Sequence, residues 1–131
     1  CVDSLQEGGC LILAVPNHDG LCGLAQNNLL DMPPHHVTHW SEASLTKVAS
    51  LFGLELVVIE FEPVADYHLA WARQIVWERR LRLCFLMKPS LLDTSFAARL
   101  VSKIGSIFAY ALPPPVENIK GHAVVAVYRK L

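Results

Sequence analysis

An α/β layered domain is the fold class this sequence predicts, and two observations carry it. Three apolar runs read as strands, "CLILAV" (residues 10–15), "LELVVIEFE" (54–62) and "HAVVAVYRK" (122–130). The stretches between them include segments of helical period and are too long to be hairpin turns. Composition agrees. The chain has 131 residues, 53% hydrophobic and 18% charged, the length of one domain with enough apolar material for a core. A formal net charge of -1 leaves no bulk basic field for nucleic acid, so a partner must be recognised at a local site.

The elements follow in chain order. Val2 and Leu5 read as the end of a helix that Gly8 and Gly9 stop in the manner of a left-handed cap. "CLILAV" follows as a continuous apolar strand, the kind usually covered on both faces. It is far shorter than the roughly 20 residues of a membrane-spanning helix. Pro16 ends it, and "NHDG" (17–20) is turn chemistry. From Leu21 to Trp40 no period holds, apart from room for a short helix in "LCGLAQNNLL". A connection that long is usually functional or mobile. It contains "DMPPHHVTHW" (31–40), with three histidines, two prolines and a tryptophan in ten residues.

Ser41 is an N-cap candidate, and Leu45, Val48, Ala49 and Phe52 repeat at helical spacing until Gly53. "LELVVIEFE" is then a strand closed by Pro63. "DYHLAWARQIVWERRLRL" from Asp66 reads as a helix. Asp93 can cap another, with Phe96, Ala97, Leu100, Val101, Ile104, Ile107 and Phe108 as its apolar face. "PPP" (113–115) ends this helical excursion before the last strand. The first residue is Cys1, with no basic leader or cleavage pattern, so the chain is expected to start mid-protein. Cys1, Cys10, Cys22 and Cys84 form no CxxC pair, which points to buried thiols and a reducing, cytoplasmic location.

The combination of "LQEGGCLILAVPN", "DMPPHHVTHWSEASLTKVASLFGLELVVIE" and "GHAVVAVYRK" resembles the C-terminal half of a class I S-adenosylmethionine-dependent methyltransferase, from the fifth strand onward. The resemblance covers both ends of the chain and most of its middle. It implies a Rossmann-like fold whose last strand runs antiparallel between the other two in a mixed sheet, with residues 66–112 as a helical insertion between the last two strands. The whole chain, 1–131, would be the C-terminal part of a single methyltransferase domain. Glu7-Gly8-Gly9 stands where the family usually has proline-glycine-glycine. The family's glycine-rich loop and its ribose-binding acid have no counterpart here, and none of the seven glycines forms a GxGxG.

The implied activity is methyl transfer from S-adenosyl-L-methionine to an O, N or C atom of a small-molecule acceptor. This chain would supply the acceptor side, and the missing N-terminal half of the domain most of the cofactor site. By that analogy His35 and His36 lie over the acceptor pocket as candidate catalytic residues, either one able to orient or deprotonate an acceptor hydroxyl. Asn17, beyond the end of a strand, and Trp40 are candidate substrate-binding residues. Each has a plainer alternative, an Asn turn for the first and an aromatic staple on the next helix for the second. Trp71 and Trp77 fit helix packing better than a cavity wall, and Arg79, Arg80 and Arg82 fit a solvated helix face better than an anion site.

Two other function classes remain open. One is a non-catalytic binding or regulatory domain derived from the same fold. The other is a histidine-dependent metal hydrolase drawing ligands from His18, His35, His36 and His39. The metal spacing is poor. His35 and His36 are adjacent and no cysteine or acidic pair completes a pattern, so no metal is expected and the histidines read as loop residues bonded to backbone.

Overall fold

In a computed structural model describing residues 1–131, the Leu30 side chain excepted, the chain is a three-stranded sheet with helices. The strands are β1 (Cys10–Pro16), β2 (Leu54–Pro63) and β3 (Lys120–Lys130). The helices are α1 (Leu21–Leu24), α2 (Glu42–Phe52), α3 (Leu69–Cys84) and α4 (Phe96–Ala111). The sheet order is β1-β3-β2, and β3 is antiparallel to both neighbours. The position and direction of the last strand therefore follow the sequence expectation. The sheet itself is antiparallel at every pairing rather than mixed, because β1 and β2 run the same way without touching.

Alternation of side chains decides which face of the sheet is buried. Val124, Ala126 and Tyr128 of β3 are fully buried, and with Leu45 and Ala49 of α2 and Leu54 they form the main core. Leu11, Leu13, Val15, Leu56, Ile59 and Phe61 pack around it. The Tyr128 hydroxyl, in the middle of this core, donates to the Leu45 carbonyl at 2.8 Å. The opposite face is open. Cys10, Ile12 and Ala14 of β1 are exposed there, which corrects the expectation of a strand covered on both sides. A continuous apolar run permits two covered faces, but only α2 is present to cover one.

α2 behaves as its sequence implies. Ser41 caps it by accepting from the Ser44 N–H, Ser44 returns the bond to the Ser41 N–H, and Gly53 closes it at φ 63° in the left-handed region. Elsewhere the local signals were overridden. Val2 to Ser4 form only a single 3-10 turn rather than the end of a longer helix. Ser95 and not Asp93 caps α4, its side chain accepting from the Ala98 N–H while the Asp93 carboxylate takes the Ser95 N–H.

α3 and α4 pack on each other between β2 and β3 in chain order. The contact stripe on α4 is Ala98, Val101 and Gly105, small residues that let the helices approach closely. The larger side chains Phe96 (82% exposed) and Ile107 (64%) face outward, a correction to the predicted apolar face. Trp77 joins the pair as packing, edge-on to Phe108 and donating from Nε1 to the Leu112 carbonyl at 2.9 Å. Arg82 departs from the solvated reading: it is buried, with Nη1 3.1 Å from Asp93 Oδ2, because its helix face turns toward the α3–α4 connection. All four cysteines are free, and only Cys22 is buried. Among the described residues no helix is long and apolar enough to cross a membrane.

Candidate functional site

Beyond Pro16 the chain leaves the sheet through a turn that is held from within. Asn17 is fully buried, its Nδ2 donating to the Gly121 carbonyl at 3.4 Å and its Oδ1 accepting the Asp19 N–H at 3.1 Å. The Asn17 N–H donates to the His122 carbonyl and the His18 N–H to the Trp40 carbonyl, each at 2.8 Å. Gly20 is required by this closeness, since a Cβ there would lie 2.5 Å from the carbonyls of Lys120 and Gly121. The turn thus anchors the start of β3 and draws the far end of the long loop, at Trp40, back beside β1. Trp40 itself is half-buried against the core under α2.

The loop between these anchors folds around one carboxylate. A 3-10 turn, Leu29–Asp31, carries Asp31 into a buried position. His36 Nδ1 lies 3.1 Å from Asp31 Oδ1. On the other side of the carboxylate, His39 Nε2 is 3.8 Å and His18 Nδ1 3.9 Å from Oδ2. The His18 and His39 rings are stacked, centroids 4.5 Å apart and planes 9° apart. His39 Nε2 also donates to the Asp31 carbonyl at 2.9 Å. An ionised carboxylate only accepts, so His36 donates from Nδ1 and its neutral ring keeps Nε2 as the basic nitrogen.

His36 lines a cleft of about 390 Å³ together with Gln26, Asn27, Asn28, His68, Trp71 and His122. His68 ends the 3-10 turn before α3, 5.5 Å from Trp71 and 5.6 Å from His122 between ring centroids. The cleft therefore sits where the loop after α1, the start of β3 and the start of α3 meet. A second cleft of about 520 Å³, lined by Leu24, Gln26, Ile75, Arg79, Arg82 and Met87 among others, runs along α3. Cys22 lies beneath the turn with its thiol 3.7 Å from the His122 carbonyl. Burial, with a smaller contribution from the Asp31 charge, pushes its pKa up to about 11.

Of the residues singled out from sequence, His36 faces this cleft, whereas His35 is exposed and enters no side-chain hydrogen bond among the described residues. Asn17 is beside the cleft but spends both polar ends on backbone, and Trp40 spends its surface on the core. Asp31, His68 and His122 were missed. Asp31 is the acidic residue that opens the histidine loop and could have been noticed there. His68 and His122, 54 positions apart, had no signal in spacing at all. Comparison of the chain with known proteins gives no matching family, no matching curated protein and no matching solved structure.

Proposed function

We propose that this chain forms the acceptor side of a Rossmann-like, class I methyltransferase acting on a small molecule. The observation that supports it best is the strand order: β3 lies between β1 and β2 and antiparallel to both, the arrangement the sequence resemblance implies for its last three strands. His36 is the candidate catalytic base. With Nδ1 held by Asp31, its Nε2 can take the proton of an acceptor hydroxyl or amine as the new bond forms, and the carboxylate steadies the imidazolium. His68, His122 and Trp71 would orient the acceptor in the cleft, while the backbone bonds of Asn17 to His122 and of His18 to Trp40 hold its surroundings in place.

The described residues do not themselves fit S-adenosyl-L-methionine. A phosphate- or nucleoside-cradling loop needs glycines with open space beside them after a strand. Here Gly20 and Gly23, which follow β1, are packed against the backbone of Lys120, Gly121 and His18, and the open Gly8 precedes the strand. On this reading the cofactor contacts would come from the N-terminal half of the domain that the resemblance implies.

Calorimetry separates the parts of this reading. The 131 residues alone should bind S-adenosyl-L-methionine no tighter than about 100 μM, worth roughly 5 to 6 kcal/mol. The protein made from its whole reading frame should bind it and methylate a small acceptor, with His36→Ala lowering kcat by about 100-fold or more and changing the pH profile. His35→Ala should have little effect. Failure of the whole protein to bind the cofactor would overturn the reading, and tight binding by the isolated chain would overturn its division into two sides.

A further inference from the structure

We propose that His18, Asp31 and His39 form a binding site for one divalent first-row transition ion, of the kind represented by zinc. The sequence argued against a metal because His35 and His36 are adjacent and no cysteine or acidic pair completed a pattern. The fold supplies one. The Asp31 side chain is only 11% exposed, and its Oδ2 faces both His18 Nδ1 at 3.9 Å and His39 Nε2 at 3.8 Å. One ligand atom from each residue can be chosen so that all three lie within 4.8 Å of one another.

Donors around a tetrahedral zinc ion, at about 2.0 to 2.2 Å from it, stand roughly 3.3 to 3.5 Å apart. The two nitrogen-to-oxygen gaps need to close by only about half an ångström to meet that geometry. They are also too long to be hydrogen bonds, and His18 Nδ1 is buried with no hydrogen-bond partner. An unpaired buried nitrogen is costly, and a cation placed between it and the carboxylate would satisfy it. Binding has two requirements. His39 must give up the Nε2 proton it donates to the Asp31 carbonyl, and the two stacked rings must splay so that their lone pairs converge. Both side chains are about one third exposed, at 38% and 35%, which leaves room for that rotation.

The three protein donors leave a fourth position open to water. His36, bonded to the other oxygen of Asp31, becomes the outer partner that orients the ligating carboxylate. The ion would tie the turn after β1 to the histidine loop and hold Asp31 still behind His36. This inference does not depend on the methyltransferase reading.

The test is titration of the metal-free chain with Co²⁺, followed by its visible absorption, and competition with Zn²⁺. One ion per chain should bind more tightly than about 10 μM. His18→Ala should weaken binding by about 100-fold, and His36→Ala, an outer partner, by about 10-fold. His35→Ala should leave it unchanged. Far-UV circular dichroism checks that each variant is folded, and Asp31→Asn gives a second ligand change that preserves the size of the side chain. Absence of one-to-one binding in the parent chain overturns the proposal. So does binding that survives His18→Ala or disappears in His35→Ala.

Discussion

One carboxylate organises the polar end of this molecule. Asp31 meets His36 through one oxygen and turns the other toward His18 and His39, so three loop histidines share a single buried acid. The same charge acts on Cys22, whose thiol is held neutral first by burial and then by Asp31. A thiol with a folded pKa of about 11 against an ordinary 9.0 contributes stability that is complete below pH 9 and is lost as the pH rises through 11. The chemical consequence is testable at pH 8. Cys1, Cys10 and Cys84 are exposed and should react readily with an aromatic disulfide reagent, whereas Cys22 should react only after denaturant unfolds the chain. Four equally fast thiols in the native state would contradict the placement of Cys22.

Among the elements, α2 and the α3–α4 pair are stabilised in different ways. α2 has local instructions at both ends, the Ser41–Ser44 capping box and Gly53, and an apolar stripe that meets β3. The two later helices depend on close approach. Gly105 is buried at their contact, where an added Cβ would come within 2.9 Å of Glu78 Cγ and 3.4 Å of the Glu78 nitrogen. The flexible Glu78 side chain can yield to a methyl group, but its hydrogen bonds with Gln74 and Ser102 hold it. Gly105→Val should therefore force the helices apart and cost about 1 to 3 kcal/mol by overpacking. Chemical denaturation measures the loss, and an unchanged midpoint would mean that α3 and α4 are not packed as described. Arg82 and Asp93 tie the far end of this pair. The Ser95 hydroxyl and N–H, and then Arg82, hold the Asp93 carboxyl below its usual range.

Over the whole molecule, the sheet is finished on one face and unfinished on the other. Its open face carries Ile12 and Ala14 of β1, with Val127 and Val125 opposite them on β3, and Val58 of β2 beyond. β1 pairs with β3 on one side, and its other edge has no strand partner among the described residues. Unpaired apolar edges are templates for association. The isolated 131 residues should accordingly associate in a concentration-dependent way, measurable by sedimentation velocity. Ile12→Lys, which places a charge at a position 65% exposed on that strand, should shift the population toward monomer without loss of fold. Association undiminished by this change would move the contact elsewhere, with the outward Phe96 and Ile107 of α4 the next surface to test.

Element type was legible where neighbouring residues decide it. Apolar runs became the three strands, and Ser41, Gly53 and the spacing of Leu45 and Ala49 defined α2, because caps and periodicity act within a few residues of one another. The order of the strands was also expected, but through resemblance rather than local physics. Which faces would be covered was not legible, since a stretch such as "CLILAV" suits a buried face and an open one equally and only α2's position chose between them. The site was read in part, His36 from its loop but neither His68 nor His122. Those two meet only because β3 crosses the sheet beside the start of α3. Whether His18 and His39 converge on Asp31 was likewise settled by tertiary anchors, the backbone bonds of Asn17 and His18 to His122 and Trp40, which fold the long loop back on the turn. Hydrogen bonds between positions so far apart in the chain leave no periodic trace, so their effect on the site exists only in three dimensions.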